Sequence, residues 1–472
     1  MKQLLILTLL IGVSLYGVAQ NRTLSLKQCL DIALANNLEL KQSDLQMQAR
    51  EIGWKQAKAN VLPQVNGSAN HGINQGRSID PFTNAFSDQR INFAGYGVNA
   101  GIPLFNGLAI QQSIRQNSLS FQASKMDIQR VKDELTLNII LAYLQALSNE
   151  DLLEQSRNQV SVSKKQVERL VTMDSQGAIA PSLLSDLKGE QAGNELALIN
   201  NQNAVESSML ALFQLMNIAY DDSAQLEKIN ADELPVNYPD SVKNIYEKAL
   251  DNLGVVKAAN LWKESAVRGV QVAKGGLYPY LSLNGNVNTN YSSVATQNLF
   301  QNITDVSTDN YVMIGGIKTP VISPTTNYQV NKIDYNKQLS NNLYTTVSLD
   351  LRIPLFNAFA ARNKVKLARL DLKNYDYIAQ SARIQLRQTV EQAYVNMKAA
   401  RNRYTTTLVQ VEAFSASFRA AEVRFNAGVG TVIDYIIAKN NADRANINLV
   451  IARYDYLLRT KSLDYYQGKL VW

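Results

Sequence analysis

The chain has 472 residues, a formal charge of +7 and a pI near 9.1, with acids and bases interspersed along its length. It lacks a basic stripe with interleaved aromatics, so no nucleic-acid partner is expected. One cysteine, Cys29, and one histidine, His71, exclude an internal disulfide and a Cys/His metal cluster.

The N-terminus "MKQLLILTLLIGVSLYGVAQ" places Lys2 before an apolar stretch from Leu4 to Tyr16 and then Gly17-Val18-Ala19. That is the pattern of a secretory signal over 1–19, cleaved after Ala19. The apolar stretch is too short to span a bilayer and no later run reaches about 18 apolar residues, so a β-barrel is the remaining route into a membrane.

"SLKQCLDIALANN" (25–37) opens a helix expected to run to about 60, with Cys29 on its apolar stripe as a small core residue. "NVLPQ" ends it, because proline and the residue before it leave helical geometry. Two strand candidates follow. The first, around Val65, Gly67 and Ala69, is glycine-rich and carries His71 as a polar strand residue. The second is "NFAGYGVNAGIPLF" (92–105), with Ala94, Tyr96, Val98, Ala100 and Ile102 on one face. No Gly or Pro then occurs from Leu108 to Gln176, which predicts one very long helix. A turn around Gly177 and a second long helix complete the unit, and "IAYDDSAQLEKINADELPVNYPD" (218–240) reads as an acidic linker.

The chain is then written a second time. "SVKNIYEKALDNL" (241–253) aligns with 25–37 at an offset of 216, and a helix to about 274 is expected. "IPLFNAFA" (353–360) aligns with "IPLFNGLA" (102–109) at an offset of 251, so the second copy carries 35 extra residues. The repeats span 20–217 and 241–472. The insertion falls in the segment 292–342, rich in Asn, Thr, Ser and Tyr, which reads as a long polar loop. From Leu355 to Ala427 there is again no Gly or Pro. Small or apolar residues recur from Ala361 to Phe425 at an average spacing of 3.56, between coiled-coil and straight-helix periods. A helix of that length reaches roughly 100 Å. Periodicity alone leaves a soluble coiled-coil scaffold equally open.

The second copy's strands show what the period of two is for. In "LSLNGNVNTNY" (281–291), Leu281, Leu283, Val287 and Tyr291 alternate with Ser282, Asn284, Asn286, Asn288 and Asn290. In "YTTVSLDLRIPLF" (344–356), Val347, Leu349 and Leu351 alternate with Thr346, Ser348 and Asp350. Phe105, Phe356, Tyr278, Tyr280 and Tyr291 stand near strand ends, as in an interfacial girdle. A small soluble sheet on a helical rod fits this pattern. So does a strand set with lipid on one face and water on the other. Four strands cannot close a barrel, and an open edge in lipid is forbidden, so the second reading needs several chains to pool strands. Two chains give a filled lumen, and three give 12 strands and a wide polar one.

Taken in order, "SLKQCLDIALANN", "ANVLPQVNGS", "GIPLFNG" with its copy "RIPLFNA", "FNAGVGTVIDYIIAKNN" and "RYDYLLRTKSLDYYQGKL" resemble the TolC family of outer-membrane efflux proteins. The resemblance covers both halves. It implies a mainly α fold with membrane β. A long α-helical barrel would carry a β-barrel shared by a trimer, four strands per chain, in the outer membrane and reaching into the periplasm of a Gram-negative bacterium. It implies the exit duct of a tripartite efflux pump, or of type I protein secretion, with a periplasmic adaptor and an inner-membrane transporter as partners and no cofactor. By position, Gly177 and Gly428, Val429 and Gly430 match the helix-hairpin tips where adaptors dock. Asp434 matches the first of two aspartates that form a cation-binding entrance constriction in some members. Ile437 stands in place of the second, and Asp434 is also placed to cap the helix after the turn. No catalytic set is expected: Gly428-x-Gly430 follows a helix, where a nucleotide loop follows a strand.

Overall fold

The computed structural model describes residues 23–79, 84–88, 90–229 and 238–469. The signal expected over 1–19 lies outside them, as does part of the linker expected over 218–240. In chain order the first half holds β1 (Thr23–Leu24), α1 (Leu26–Asn36), α2 (Leu38–Ala59), β2 (Gln64–Asn74), β3 (Ser78–Ile79), β4 (Phe86–Ser87), β5 (Ile91–Asn106), α3 (Ala109–Ser175), α4 (Pro181–Leu215) and β6 (Gln225–Leu226). The second holds α5 (Val242–Asn252), α6 (Gly254–Gly275), β7 (Tyr280–Ser292), β8 (Thr296–Ile314), β9 (Ile317–Lys332), α7 (Tyr335–Asn341), β10 (Tyr344–Arg352), α8 (Ala360–Asn426) and α9 (Val432–Tyr466).

The helices pair by length. α1 and α5 have 11 residues, α2 and α6 have 22, α3 and α8 have 67, and α4 and α9 have 35. α3 and α8 fill the two Gly/Pro-free runs. The helices expected over 25–60 and 241–274 are each broken in two, because Asn37 and Leu253 take extended backbone. Asn37 then starts the next helix, its Oδ1 accepting the Leu40 N–H at 2.8 Å. At the second break the Gly254 N–H donates to the Asp133 carboxylate at 3.2 Å. A Cβ on Gly254 would meet the Met126 carbonyl at 2.6 Å and the Arg130 nitrogen at 2.7 Å, so the break is fixed by close backbone approach.

The chain divides into two compact units that cut across the repeats. One draws on Met1–Gly53, Asn117–Ala266 and Asp371–Trp472, and its regular elements among the described residues are helices apart from the β1–β6 pair. Its cores repeat the sequence offset: Cys29 and Ala33 share a cluster with Ile139 and Ala146, and Ile245 and Ala249 share one with Val390 and Met397. Cys29 is a fully buried core residue. The Tyr143 hydroxyl bonds the carbonyls of Leu24 (3.0 Å) and Glu227 (2.7 Å), tying β1 and β6 to α3.

The other unit, Trp54–Gln116 and Val267–Leu370, carries the strands. Its sheet has the order β10-β7-β5-β2, every neighbour antiparallel, with a bulge at Leu104. The segment read as a polar loop over 292–342 is ordered. β8 and β9 form a long two-stranded hairpin, and α7 anchors its base. Gln338, fully buried, bonds both the N–H and the carbonyl of Ser292 and the carbonyl of Ile333.

Candidate functional site

Strand register decides which side chains share a face. Val65, Ala100, Gly285 and Val347 lie at one level, and Gly67, Val98, Val287 and Thr345 at the next. Leu283, Leu349 and Ile102 continue that face. It is uncovered along most of its length: Val347 is 71% exposed, Leu349 63% and Val98 50%. The opposite face is built of amides, hydroxyls and glycine. Asn66, Asn99, Asn286 and Thr346 share a level, followed by Ser68, Gly97, Asn288 and Tyr344. The glycines make room for the amides. A Cβ on Gly95 would strike the Asn70 side chain, one on Gly97 that of Asn288, and one on Gly101 that of Asn284. A concavity of about 380 Å³ on this face is lined by Gln64, Asn66, Asn99, Ser282, Asn284 and Tyr280, among others.

The register refines one reading and corrects another. His71, read as a polar strand residue, does lie on β2, but opposite Ala94 on the apolar face. Tyr280 pairs with Arg352 on the amide face, while Tyr291 pairs with Ala94 on the apolar face, so the two tyrosines do not share a girdle. Near Tyr291, α7 lies against the apolar face. Tyr335 meets the Tyr291 ring at 4.6 Å and the Tyr96 hydroxyl at 2.8 Å.

The residues expected at the helix tips lie in the helical unit, in two turns of matching design. Gly177 (φ +68) and Gly428 (φ +74) take left-handed backbone. The Ala178 N–H reaches the Met173 carbonyl and the Val429 N–H the Arg424 carbonyl, closing the carbonyl ends of α3 and α8. Gly430 has no such backbone need, but a Cβ there would press on Phe425 and Arg424. Val429 is 78% exposed. α4 starts with Pro181 at its first turn. α9 starts on Thr431, whose hydroxyl accepts the Asp434 N–H at 3.1 Å and donates to the Asp434 carboxylate at 2.7 Å. Thr431, not Asp434, therefore caps the helix; Asp434 sits in its first turn and orients the capping hydroxyl, and its side chain remains exposed.

One cluster brings both turns together: Leu170 and Leu187 from the first repeat, Phe425 and Tyr435 from the second, with Ile179 and Val432 against them. Sequence reading missed the polar links across it. Arg169 donates to the Asn426 side-chain oxygen at 2.6 Å and lies 5.1 Å over the Phe425 ring. Gln166 bonds the Tyr435 hydroxyl, and burial pushes that phenol up to about 12. Lys439, buried, meets Asp443 at 2.7 Å and Glu190 at 3.4 Å. The aromatic pair Phe425 and Tyr435 bracketing "NAGVGTVID" was the available signal. Among the described residues there is no cluster of His, Cys, Asp and Glu that could hold a metal ion.

Comparison with known proteins gives a consistent match. The family model described as outer membrane efflux protein matches residues 29–217 and 245–469. The outer membrane protein TolC of Escherichia coli (strain K12) is 23% identical over 476 residues, which is 98% of this chain and 86% of the relative. The crystal structure of the outer membrane protein VceC from Vibrio cholerae aligns with a TM-score of 0.74 at 15% identity, covering 94% of this chain and 96% of that one. The open state of the MtrE outer membrane channel of Neisseria gonorrhoeae aligns with a TM-score of 0.72 at 14% identity, covering 94% and 88%.

Proposed function

The chain belongs to the outer membrane efflux protein family, and from that premise we propose that it is the trimeric exit duct of a tripartite efflux pump, a passive conduit that docks a periplasmic adaptor and serves an inner-membrane transporter. Its fold is that of the outer-membrane efflux channels, and its place is the outer membrane. The observation that carries the finer reading is the inverted sheet: an uncovered aliphatic face opposite a face of asparagine. A soluble sheet buries its aliphatic face. This arrangement instead suits lipid outside and water inside.

The sheet's outer strands, β10 and β2, have open edges, so the strands of one chain cannot close. Three copies pool 12 strands around a water-filled bore. The helices argue the same way. On α8, Leu370, Tyr377 and Ile384 recur every seven residues and are 63%, 56% and 48% exposed, a second seam beyond the one that packs within the chain. A neighbouring copy is the natural cover for it.

At the tips, Gly177, Gly428 and Gly430 keep the turns slim, and the exposed Val429 presents an apolar contact for an adaptor hairpin. Asp434 points a carboxylate into solvent one turn from Ile437. In a trimer this gives one ring of three charges at the entrance where some relatives carry two. The conduit performs no reaction.

Light scattering with negative-stain imaging of the detergent-extracted protein tests this reading. A three-chain particle is the expected result. A monomer or dimer that stays in solution without detergent overturns it and leaves a secreted coiled-coil scaffold.

A further inference from the structure

The four strands of the sheet carry three charged or imidazole side chains, His71, Asp350 and Arg352. His71 is on the apolar face. Asp350, opposite Ser282, and Arg352, opposite Tyr280, are on the amide face, at the end of the sheet where β10 leads toward α8. Apart from Ile91 at the far end of the sheet, every other group on that face is an amide, a hydroxyl, a glycine, a proline or an aromatic ring. Asp350 is held in place: its carboxylate accepts from the Ser348 hydroxyl at 3.0 Å and from the Asn284 amide.

We propose that the strand-lined bore carries its fixed charge in one dipolar collar, a ring of Asp350 carboxylates beside a ring of Arg352 guanidiniums, and that the two rings balance each other, so that the bore discriminates by charge separation and not by net sign. The proposal rests on the trimeric-duct reading, which turns one residue per chain into a ring of three. Two residues along a strand, the rings lie about 7 Å apart. That is within the Debye length of roughly 10 Å at 0.1 M salt, so each ring screens the other's field. The amide lining above them is dipolar without net charge and adds no preference of sign. The intact collar is therefore close to non-selective, and each ring alone is strongly selective in the opposite sense. A solute with separated charges meets the two rings in sequence, which favours dipolar cargo over simple ions.

The test is the reversal potential of the full-length protein in planar bilayers under a KCl gradient, for wild type, Asp350→Asn, Arg352→Gln and the double variant. Asp350→Asn should move the cation-to-anion permeability ratio toward anions and Arg352→Gln toward cations. Each shift should be at least about threefold, the Boltzmann weight of roughly one kT at a ring of three charges. The double variant should return near wild type, and all shifts should shrink at 1 M salt. Trimer mass measured for each variant separates a lost charge from a lost fold, and Asp350→Glu should behave as wild type. Shifts of the same sign in the two single variants, or none in either trimeric variant, overturn the collar. A wild-type protein that forms no conducting trimer overturns the duct reading itself.

Discussion

Lys439 holds the largest electrostatic stake among single residues at the tips. Its side chain is 4% exposed and faces two carboxylates, Asp443 on its own helix and Glu190 on α4. Deleting one member of a buried ion pair costs about 3–5 kcal/mol, because the remaining charge keeps its desolvation penalty. Glu190 and Asp443 reach some solvent, so Lys439→Met should fall near the lower figure, about 3 kcal/mol. Glu190→Gln leaves the Lys439–Asp443 contact intact and should cost under about 1 kcal/mol. Hydrogen exchange over residues 166–190 and 425–445 reads the difference. Protection in Lys439→Met equal to wild type would remove the ion triad from the stability of the tips. None of this was legible locally. "IIAKNNADR" reads as a solvated helix face, and the burial of its lysine depends on an acid 249 positions away. The bond between Thr431 and Asp434 was legible, because the two lie within one helical turn, but the cap is Thr431 and not Asp434 as the sequence suggested.

At the scale of elements, chain-local signals were the reliable ones. A Gly/Pro-free run bounded by a turn glycine sets both ends of α3 and the carboxyl end of α8 to within a residue, because the propensity and the cap agree, while α8 starts only at Ala360, five residues into its run. The break at Leu253 escaped because it answers to the close approach of Gly254 to α3, whereas the one at Asn37 carries a local signal, the cap that its own side chain forms. The hairpin of β8 and β9 escaped for a different reason. Pro320 and Pro324 argue against a strand, yet β9 pairs with β8 alone, and such an edge strand tolerates proline. The glycines divide along the same line. At Gly177 a Cβ meets nothing within 4 Å, so Gly177→Ala should cost only left-handed strain, about 1 kcal/mol. At Gly254 the obstacle is backbone on another helix, which cannot give way. Gly254→Ala should cost several times more in thermal unfolding of the detergent-solubilised protein. Equal losses at the two sites would mean that the approach of α6 to α3 is not what fixes the break.

For the whole molecule, the open question of assembly reduces to strand direction. β10, β7, β5 and β2 alternate in direction, each antiparallel to the next. Three reversals leave β2 antiparallel to β10. A second copy can therefore bring its β10 against β2 and continue the alternation, and a third can close it, with no parallel join. The two-faced alternation that suggested this was legible in "LSLNGNVNTNY". The strand order was not, because it depends on contacts some 200 residues apart, such as Val98 with Val287. Closure makes a prediction about covalent capture. In a Cys29→Ala background, Thr346→Cys on β10 would be combined in turn with Asn66→Cys, Ser68→Cys and Asn70→Cys on β2, all on the amide face. A disulfide needs Cα atoms about 5.5–6 Å apart, which only directly opposed residues of paired strands provide. One of the three combinations should oxidise readily in membranes and yield bands of one, two and three chains under non-reducing denaturation. The other two should stay monomeric. A ladder beyond three chains would mean an open, growing sheet. No ladder at these registers or at neighbouring ones would mean that β2 and β10 never meet, and the pooled barrel would have to be abandoned.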